Sequence, residues 1–190
     1  MVMKVKAPVF ERKLVPEGQH LAVCSVVADL GLQKSDLFDK IQHQVYFQWL
    51  FPNERIEIKD KDLPMALSKR VTMTWDDRGN LLKLVESWLG KKLTSEEKED
   101  FDLESLAGMP ASIFVKHQDG QKGTVAKILD VAPYKGAEPL QIENENDGNP
   151  VIYNSDHLEN LELLPKWLQD DINNQVFPND PEVVDDEPPI

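Results

Sequence analysis

The sequence predicts a mainly β protein in which a helical segment interrupts the strands and an acidic tail follows them. Apolar and polar residues alternate in several segments before residue 75, which is the period of β-strands. Apolar residues then recur at helical spacing over residues 81–89, and the strand pattern returns after residue 110. The net charge of −13 arises entirely in residues 136–190, where Lys166 is the only basic residue, so the preceding body is neutral.

The first predicted strand covers residues 17–35 and is long, with Gly18 and Gly31 as sites where it bends. The second covers residues 44–51, and residues 55–58 either continue it or begin a hairpin arm. Its odd-numbered positions are all apolar and are assigned to the core: Val45, Phe47, Trp49 and Phe51. Its other face is predicted to look outward and carries Gln44, Tyr46 and Gln48.

The third predicted strand, residues 67–75, alternates in the same way. Val71, Met73 and Trp75 share one face, and the other face includes Arg70, Thr72 and Thr74.

Two helices are expected next. Asp77 is the candidate N-cap of the helix over residues 81–89, and Gly90 lies just beyond its end. Thr94 and Glu97 have the spacing of a capping box, which begins the second helix. Gly108 and Pro110 end this helical region.

Two further strands, residues 111–117 and 124–131, are separated by glycine-containing turns and predict a hairpin. Three strands, a helical insert and two strands are the order of the OB-fold, a five-stranded Greek-key barrel. We therefore assign residues 1–135 to an OB-fold nucleic-acid-binding domain. A small α+β sandwich is the alternative fold with the same inventory.

Residues 136–172 are interpreted as an acidic linker with short helices. Within it, residues 151–153 either add a strand or pack on the body, and leucines on both sides of Pro165 predict one or two short helices. These helices either dock on the body or bind a partner or a second copy of the chain. Residues 173–190, rich in Asn, Pro and acids, are expected to form a disordered acidic tail.

The sequence contains no recognisable catalytic motif, so a non-enzymatic function is expected. The four histidines are scattered and mark no metal site, and no cofactor is implied. Cys24 lies within an apolar strand, where it is expected to be a small buried hydrophobe. Without a secretory leader or a membrane-spanning apolar run, the expected location is the cytoplasm, with no membrane partner.

Nucleic-acid binding is the functional hypothesis for the body. Single-strand binders combine a basic groove with aromatic side chains on which bases stack. Tyr46 is the expected stacking residue, and the second and third strands of an OB-fold form the binding surface. The other expected contacts lie beside it or on the first loop and last hairpin: Gln44, Gln48, Arg70, Thr72, Lys34, Lys40, Lys116, Lys122 and Lys127.

The C-terminal tip is a candidate peptide for partner binding. Acidic residues precede two prolines and a terminal apolar residue, in the order Asp185, Asp186, Glu187, Pro188, Pro189 and Ile190. Ile190 fits an apolar pocket while the acids and the terminal carboxylate meet basic residues, and the prolines reduce the entropy lost on docking.

This tip resembles that of bacterial single-stranded DNA-binding proteins, although the chain ends in Pro-Pro-Ile where that family typically ends in Ile-Pro-Phe. The body resembles phage- and prophage-encoded OB-fold proteins of the same class in the stretches Val15-Pro16-Glu17-Gly18, Phe47-Gln48-Trp49, Leu67-Ser68-Lys69 and residues 103–110. The resemblance implies a single-stranded DNA-binding protein of phage replication or recombination, acting in a bacterial host cell and recruiting replication or recombination proteins through its tip.

A second hypothesis belongs to another functional class. The acidic C-terminal region would make the chain a protein-interaction adaptor or a DNA mimic that does not itself bind nucleic acid. The two hypotheses differ in whether the body carries a positive surface. Self-association into a homo-oligomer stays open under both.

Overall fold

The computed structural model describes residues 12–35 and 39–177 and shows a mainly β fold with few helices. Its α-helices within these residues are α1 (Asn80–Leu89), α2 (Ser95–Glu99) and α3 (Lys166–Asn173), with 3-10 helices at Leu103–Leu106 and Leu158–Leu163. Its strands are β1 (Gly18–Ser35), β2 (Lys40–Ile58), β3 (Lys61–Thr72), β4 (Pro110–Gly120), β5 (Gly123–Pro133) and β6 (Val151–Tyr153). None of the helices in these residues has the length and apolar character needed to cross a membrane.

The sheet is built around β1, which is hydrogen-bonded to three other strands. The order is β3-β2-β1-β4-β5 with antiparallel neighbours, and β6 lies parallel to β1 beside Val26–Ala28. The first part of β1 pairs with β4 and the remainder with β2. No ladder joins the edge strands β3 and β5 within the described residues, so the sheet is hydrogen-bonded as an open one.

β1 is irregular at two places, one of them beside Gly31, where a bend was predicted. Register shifts occur between Cys24 and Val26 and between Asp29 and Gly31, as expected for β-bulges, which bend a strand and increase its twist. Gly31 has φ 66°, and a Cβ at this position would lie 1.8 Å from the side-chain oxygen of Gln175. The left-handed backbone conformation therefore favours glycine at this position, and a larger residue would also displace the end of the Gln175 side chain.

The β2–β3 hairpin includes residues 55–58, for which the sequence allowed either a continued second strand or the start of a hairpin arm. These residues continue β2 and pair with the beginning of β3. Lys59 and Asp60, which join the strands, have φ values of 50° and 63°. Positive φ at both central residues is the signature of the type I′ turn, whose twist matches that of the strands.

One face of the sheet holds the main core, and the predicted inward face of β2 is confirmed. Val45, Phe47, Trp49 and Phe51 are all fully buried or nearly so. Helix α1 covers them with Trp88, whose ring centroid lies 5.4 Å from that of Trp49.

The ends of α1 and α2 have the capping residues predicted from the sequence, except at the N-cap of α1. Gly90 adopts the left-handed conformation that ends α1, and the capping box of Thr94 and Glu97 is formed. The expectation that Asp77 caps α1 is wrong, because the chain turns through Asp76–Gly79 and Gly79 occupies the N-cap.

A second core lies on the other face of β1 and β2. The C-terminal segment covers this face through β6, the 3-10 helix at Leu158–Leu163, and α3, with Pro165 between the two helices as expected. The buried residues of this second core are Val26, Ala28, Leu30, Tyr46, Val151, Tyr153, Leu164, Leu168 and Ile172. Of the two roles left open for these helices, docking on the body is therefore the one that the structure shows.

We expect Trp49→Ala to lower the free energy of unfolding by about 3–5 kcal/mol, because it empties a core site. The matched control is Phe114→Ala, an aromatic residue on the outer surface of β4. It should cost about 1 kcal/mol or less, since most surface substitutions change stability little. Urea unfolding followed by circular dichroism measures both, and equal losses would contradict the assignment of the inner face.

Candidate functional site

The β2–β3 register brings together the residues predicted for the strand-binding surface. Tyr46 lies opposite Arg70, and Gln44 lies opposite Thr72. Gln48 is two residues beyond Tyr46, and its side-chain oxygen accepts a hydrogen bond of 3.0 Å from the Tyr46 hydroxyl. These side chains share the face of the sheet opposite the main core, as the alternation predicted.

The expectation that Tyr46 is exposed and available to stack a base is wrong. Its exposed fraction is 2%, because α3 lies over this part of the sheet. Trp167 of α3 makes an edge-to-face contact with the Tyr46 ring, with centroids 5.8 Å apart. Burial also raises the pKa of the Tyr46 hydroxyl above its ordinary value. Tyr46 is thus part of the second core.

Arg70, which lies opposite Tyr46 on β3, also contacts α3. Its guanidinium donates a hydrogen bond to the Asp171 carboxylate and lies 5.6 Å from the centroid of the Trp167 ring. This arrangement combines an ion pair with a cation–π contact. Arg70 therefore lies at the surface in a cluster with Trp167 and Asp171. The Asp171 carboxylate offsets its positive charge.

Helix α3 is a fixed part of this surface. Two of its residues, Leu168 and Ile172, are buried in the second core, together with Leu164 just before the helix. Burying such a side chain contributes about 1.5–3 kcal/mol, so together they contribute on the order of 5–9 kcal/mol. Micromolar affinity corresponds to about 8 kcal/mol, so a ligand that displaced α3 would lose most of its binding free energy.

The other predicted basic group lies on the β4–β5 hairpin. Lys116 and Lys127 are directly opposite each other in the ladder, and Lys122 lies in the two-residue turn. All three are exposed, and none forms an ion pair within residues 12–35 and 39–177. Like charges directly opposite each other are destabilising, and a bound anion would relieve that repulsion. This pair is therefore a good candidate for a phosphate contact.

Phe114 is an exposed aromatic residue on the same hairpin that the sequence analysis did not single out. It lies two residues before Lys116 on the same face of β4, and 45% of it is exposed. The sequence contains a signal, because Phe114 shares its period-2 face with Ser112 and Lys116, whereas Ile113 and Val115 lie on the other face. We call Phe114, Lys116 and Lys127 the hairpin patch.

Of the remaining predicted binding residues, the structure describes the two lysines near the β1–β2 connection but not the C-terminal tip. Lys34 and Lys40 lie at the end of the β1–β2 pair, where Lys34 is 3.6 Å from Asp39 and Lys40 is exposed. The predicted partner-binding tip, residues 185–190, lies outside the described residues.

A cavity of about 380 Å³ opens between β1, the end of β3 and the Leu103–Leu106 helix. Three carboxylates line it, and each has a structural contact. Asp29 accepts from the Gly31 amide and lies 2.5 Å from His43, Asp102 caps the 3-10 helix, and the Glu104 carboxylate accepts from Asn154. No group of three potential metal ligands is found in the part of the chain that the structure describes.

No family model matches the chain, and a search of curated proteins finds no match.

We expect Leu168→Ala to lower the free energy of unfolding by about 2–5 kcal/mol, because Leu168 is fully buried between α3 and the sheet. The matched control is Leu158→Ala, at a leucine of the same segment that is largely exposed. It should change stability by about 0.5 kcal/mol or less. Urea unfolding measures both, and two small effects would show that α3 contributes little to the fold.

Proposed function

We propose that the protein binds single-stranded DNA without strong sequence preference, as a non-enzymatic component of phage replication or recombination. The observation that carries this proposal is the hairpin patch, where an exposed aromatic ring lies beside two opposed lysines that have no acidic partner within the described residues. Binding of single strands requires both elements, since cations neutralise phosphates and an aromatic face accepts a base of any sequence.

The arrangement of the strands supports an OB-type fold for this function. In the described sheet β1 pairs with both β2 and β4, and α1 lies between β3 and β4 in the chain. The edge strands β3 and β5 also approach each other, which is the contact that closes such a barrel. In OB-folds the loop between the fourth and fifth strands borders the binding groove, and the hairpin patch lies on the corresponding β4–β5 hairpin.

The proposed mechanism assigns a separate task to each group. Lys116, Lys122 and Lys127 neutralise phosphates, and Phe114 stacks on a base. Gln44, Gln48 and Thr72 offer polar contacts on the β2–β3 face, and Lys34 and Lys40 extend the basic surface. Binding in the cytoplasm of the bacterial host follows from this role.

The acidic tip has the second task in the proposal. Its carboxylates, prolines and terminal Ile190 are suited to a basic and apolar pocket on a replication or recombination protein. The adaptor or DNA-mimic alternative is favoured by the acidic excess of residues 136–190 alone. Against it, acids of this region are paired within the chain, with Glu143 bound to Arg55, Asp171 to Arg70 and Asp170 to Lys166.

We expect the protein to bind oligo-dT more tightly than duplex DNA, with an affinity that falls as salt rises. Lys116→Ala and Lys127→Ala should each reduce the slope of log affinity against log salt by about 0.7, the value for one phosphate contact on a single strand. Lys83→Ala on the exposed side of α1 removes the same charge elsewhere and should leave the slope unchanged. Fluorescence anisotropy measures all four proteins.

Three results would contradict this proposal. Tighter duplex binding would contradict an OB groove. Equal effects of the three substitutions would show that only the total charge matters. Absence of binding by the intact protein, at low salt, would favour the adaptor alternative.

We expect removal of residues 178–190 to strengthen binding of oligo-dT at low salt. The deletion takes away five acids and no basic residue, so the net charge rises from −13 to −8. A tethered acidic segment competes with DNA for a positive surface, most strongly at about 0.01 M salt, where the Debye length is about 30 Å. The two proteins should bind alike by about 0.3 M salt, where screening is strong.

The control for the deletion is Ile190→Ala, which alters no charge. It should leave the DNA affinity unchanged at every salt concentration. If the deletion and the intact protein bind equally at low salt, the tail does not compete for the DNA surface.

A further inference from the structure

We propose that Trp167 of α3 stacks a base on the β2–β3 face, in the place that the sequence analysis gave to Tyr46. The inference rests on the proposed function, since it names a further binding residue of the same single-strand surface. It does not depend on the hairpin patch, which lies on other strands.

The first observation is the exposure of Trp167. Half of the residue is exposed, whereas Trp49 and Trp88 are buried. The neighbouring residue Leu168 is fully buried, so α3 is anchored directly beside this ring. An indole offers a larger stacking surface than a phenol, and every base has a π-face that can use it.

The second observation is that the ring is already fixed. The Tyr46 ring contacts it edge to face at 5.8 Å, and the Arg70 guanidinium lies 5.6 Å from its centroid. A side chain held in one orientation loses little conformational entropy when a base stacks on it.

The third observation concerns charge. Helix α3 carries two acids close to Trp167, which would repel DNA if they were free. Asp171 is paired with Arg70, and Asp170 lies 2.6 Å from the Lys166 ammonium. The four groups sum to zero charge, so they add no net negative charge beside the ring.

The test compares Trp167→Ala with Trp167→Phe in the full-length protein, using oligo-dT as the probe. Loss of a stacked base costs about 5- to 150-fold in affinity, and we expect Trp167→Ala to fall in this range. The salt slope should stay that of the unmodified protein, because no charge is removed. Trp167→Phe keeps an aromatic ring and should recover most of the affinity. Leu158→Ala, an exposed residue on the preceding 3-10 helix, should bind normally.

Tryptophan fluorescence gives a second, independent readout. Stacking should quench the emission of the unmodified protein as oligo-dT is added, and Trp167→Phe should lose most of this quenching while it still binds. Full quenching in Trp167→Phe would overturn the inference even if Trp167→Ala failed to fold.

The outcomes separate this inference from the proposed function. If Trp167→Ala binds as the unmodified protein does while Lys116→Ala weakens the salt dependence, the inference is wrong and the proposed function stands. Tighter binding by Trp167→Ala would show that α3 obstructs the surface, which also overturns the inference. If the unmodified protein does not bind oligo-dT, the proposed function itself fails.

Discussion

The structure depends on the burial of β1 on both faces. From Ala22 to Ala28 every residue of this strand is buried, with apolar side chains directed to both sides of the sheet. Such a strand is stable only if each side is covered, since exposed apolar area costs about 25 cal/mol per Å². Helix α1 and the inner faces of the strands cover one side, and β6 and α3 cover the other. The C-terminal segment is thereby an integral part of the fold.

The same constraint determines which side chains reach the surface. Tyr46 is cross-strand from Ala28, so the cover that β1 requires also covers Tyr46. The helix that provides this cover presents its own aromatic residue, Trp167, and binds Arg70 through Asp171. The β4–β5 hairpin lies beyond this cover, so Phe114 and its lysine neighbours stay exposed. Burial thus leaves two separate groups of aromatic and basic residues on the outside of the sheet.

Sequence patterns correctly predicted features that depend on residues close together in the chain. They failed for features that depend on contacts between distant segments. Alternation placed Trp49 inside because one face of β2 is continuously apolar, and the Thr94 capping box depends on only four residues. Tyr46 was misplaced because its cover comes from residues 164–172, far along the chain. A signal was nevertheless present in β1, whose apolar run from Ala22 to Val27, interrupted only by Ser25, is typical of a strand buried on both faces. The exposure of Phe114 likewise had a signal in the sequence, since it shares a face of β4 with the polar residues Ser112 and Lys116.

The parallel pairing of β6 with β1 has a consequence for how the chain folds. Val26 is paired with Val151, 125 positions later, and Leu32 is bridged to Val176. Contacts of such long sequence separation form late, because closing a long loop costs entropy before the contact repays it. During synthesis the outer face of β1 therefore remains uncovered until residues 151–172 have been made. In that interval the apolar strand is open to pairing with other chains, so the arrival of this segment protects it from aggregation.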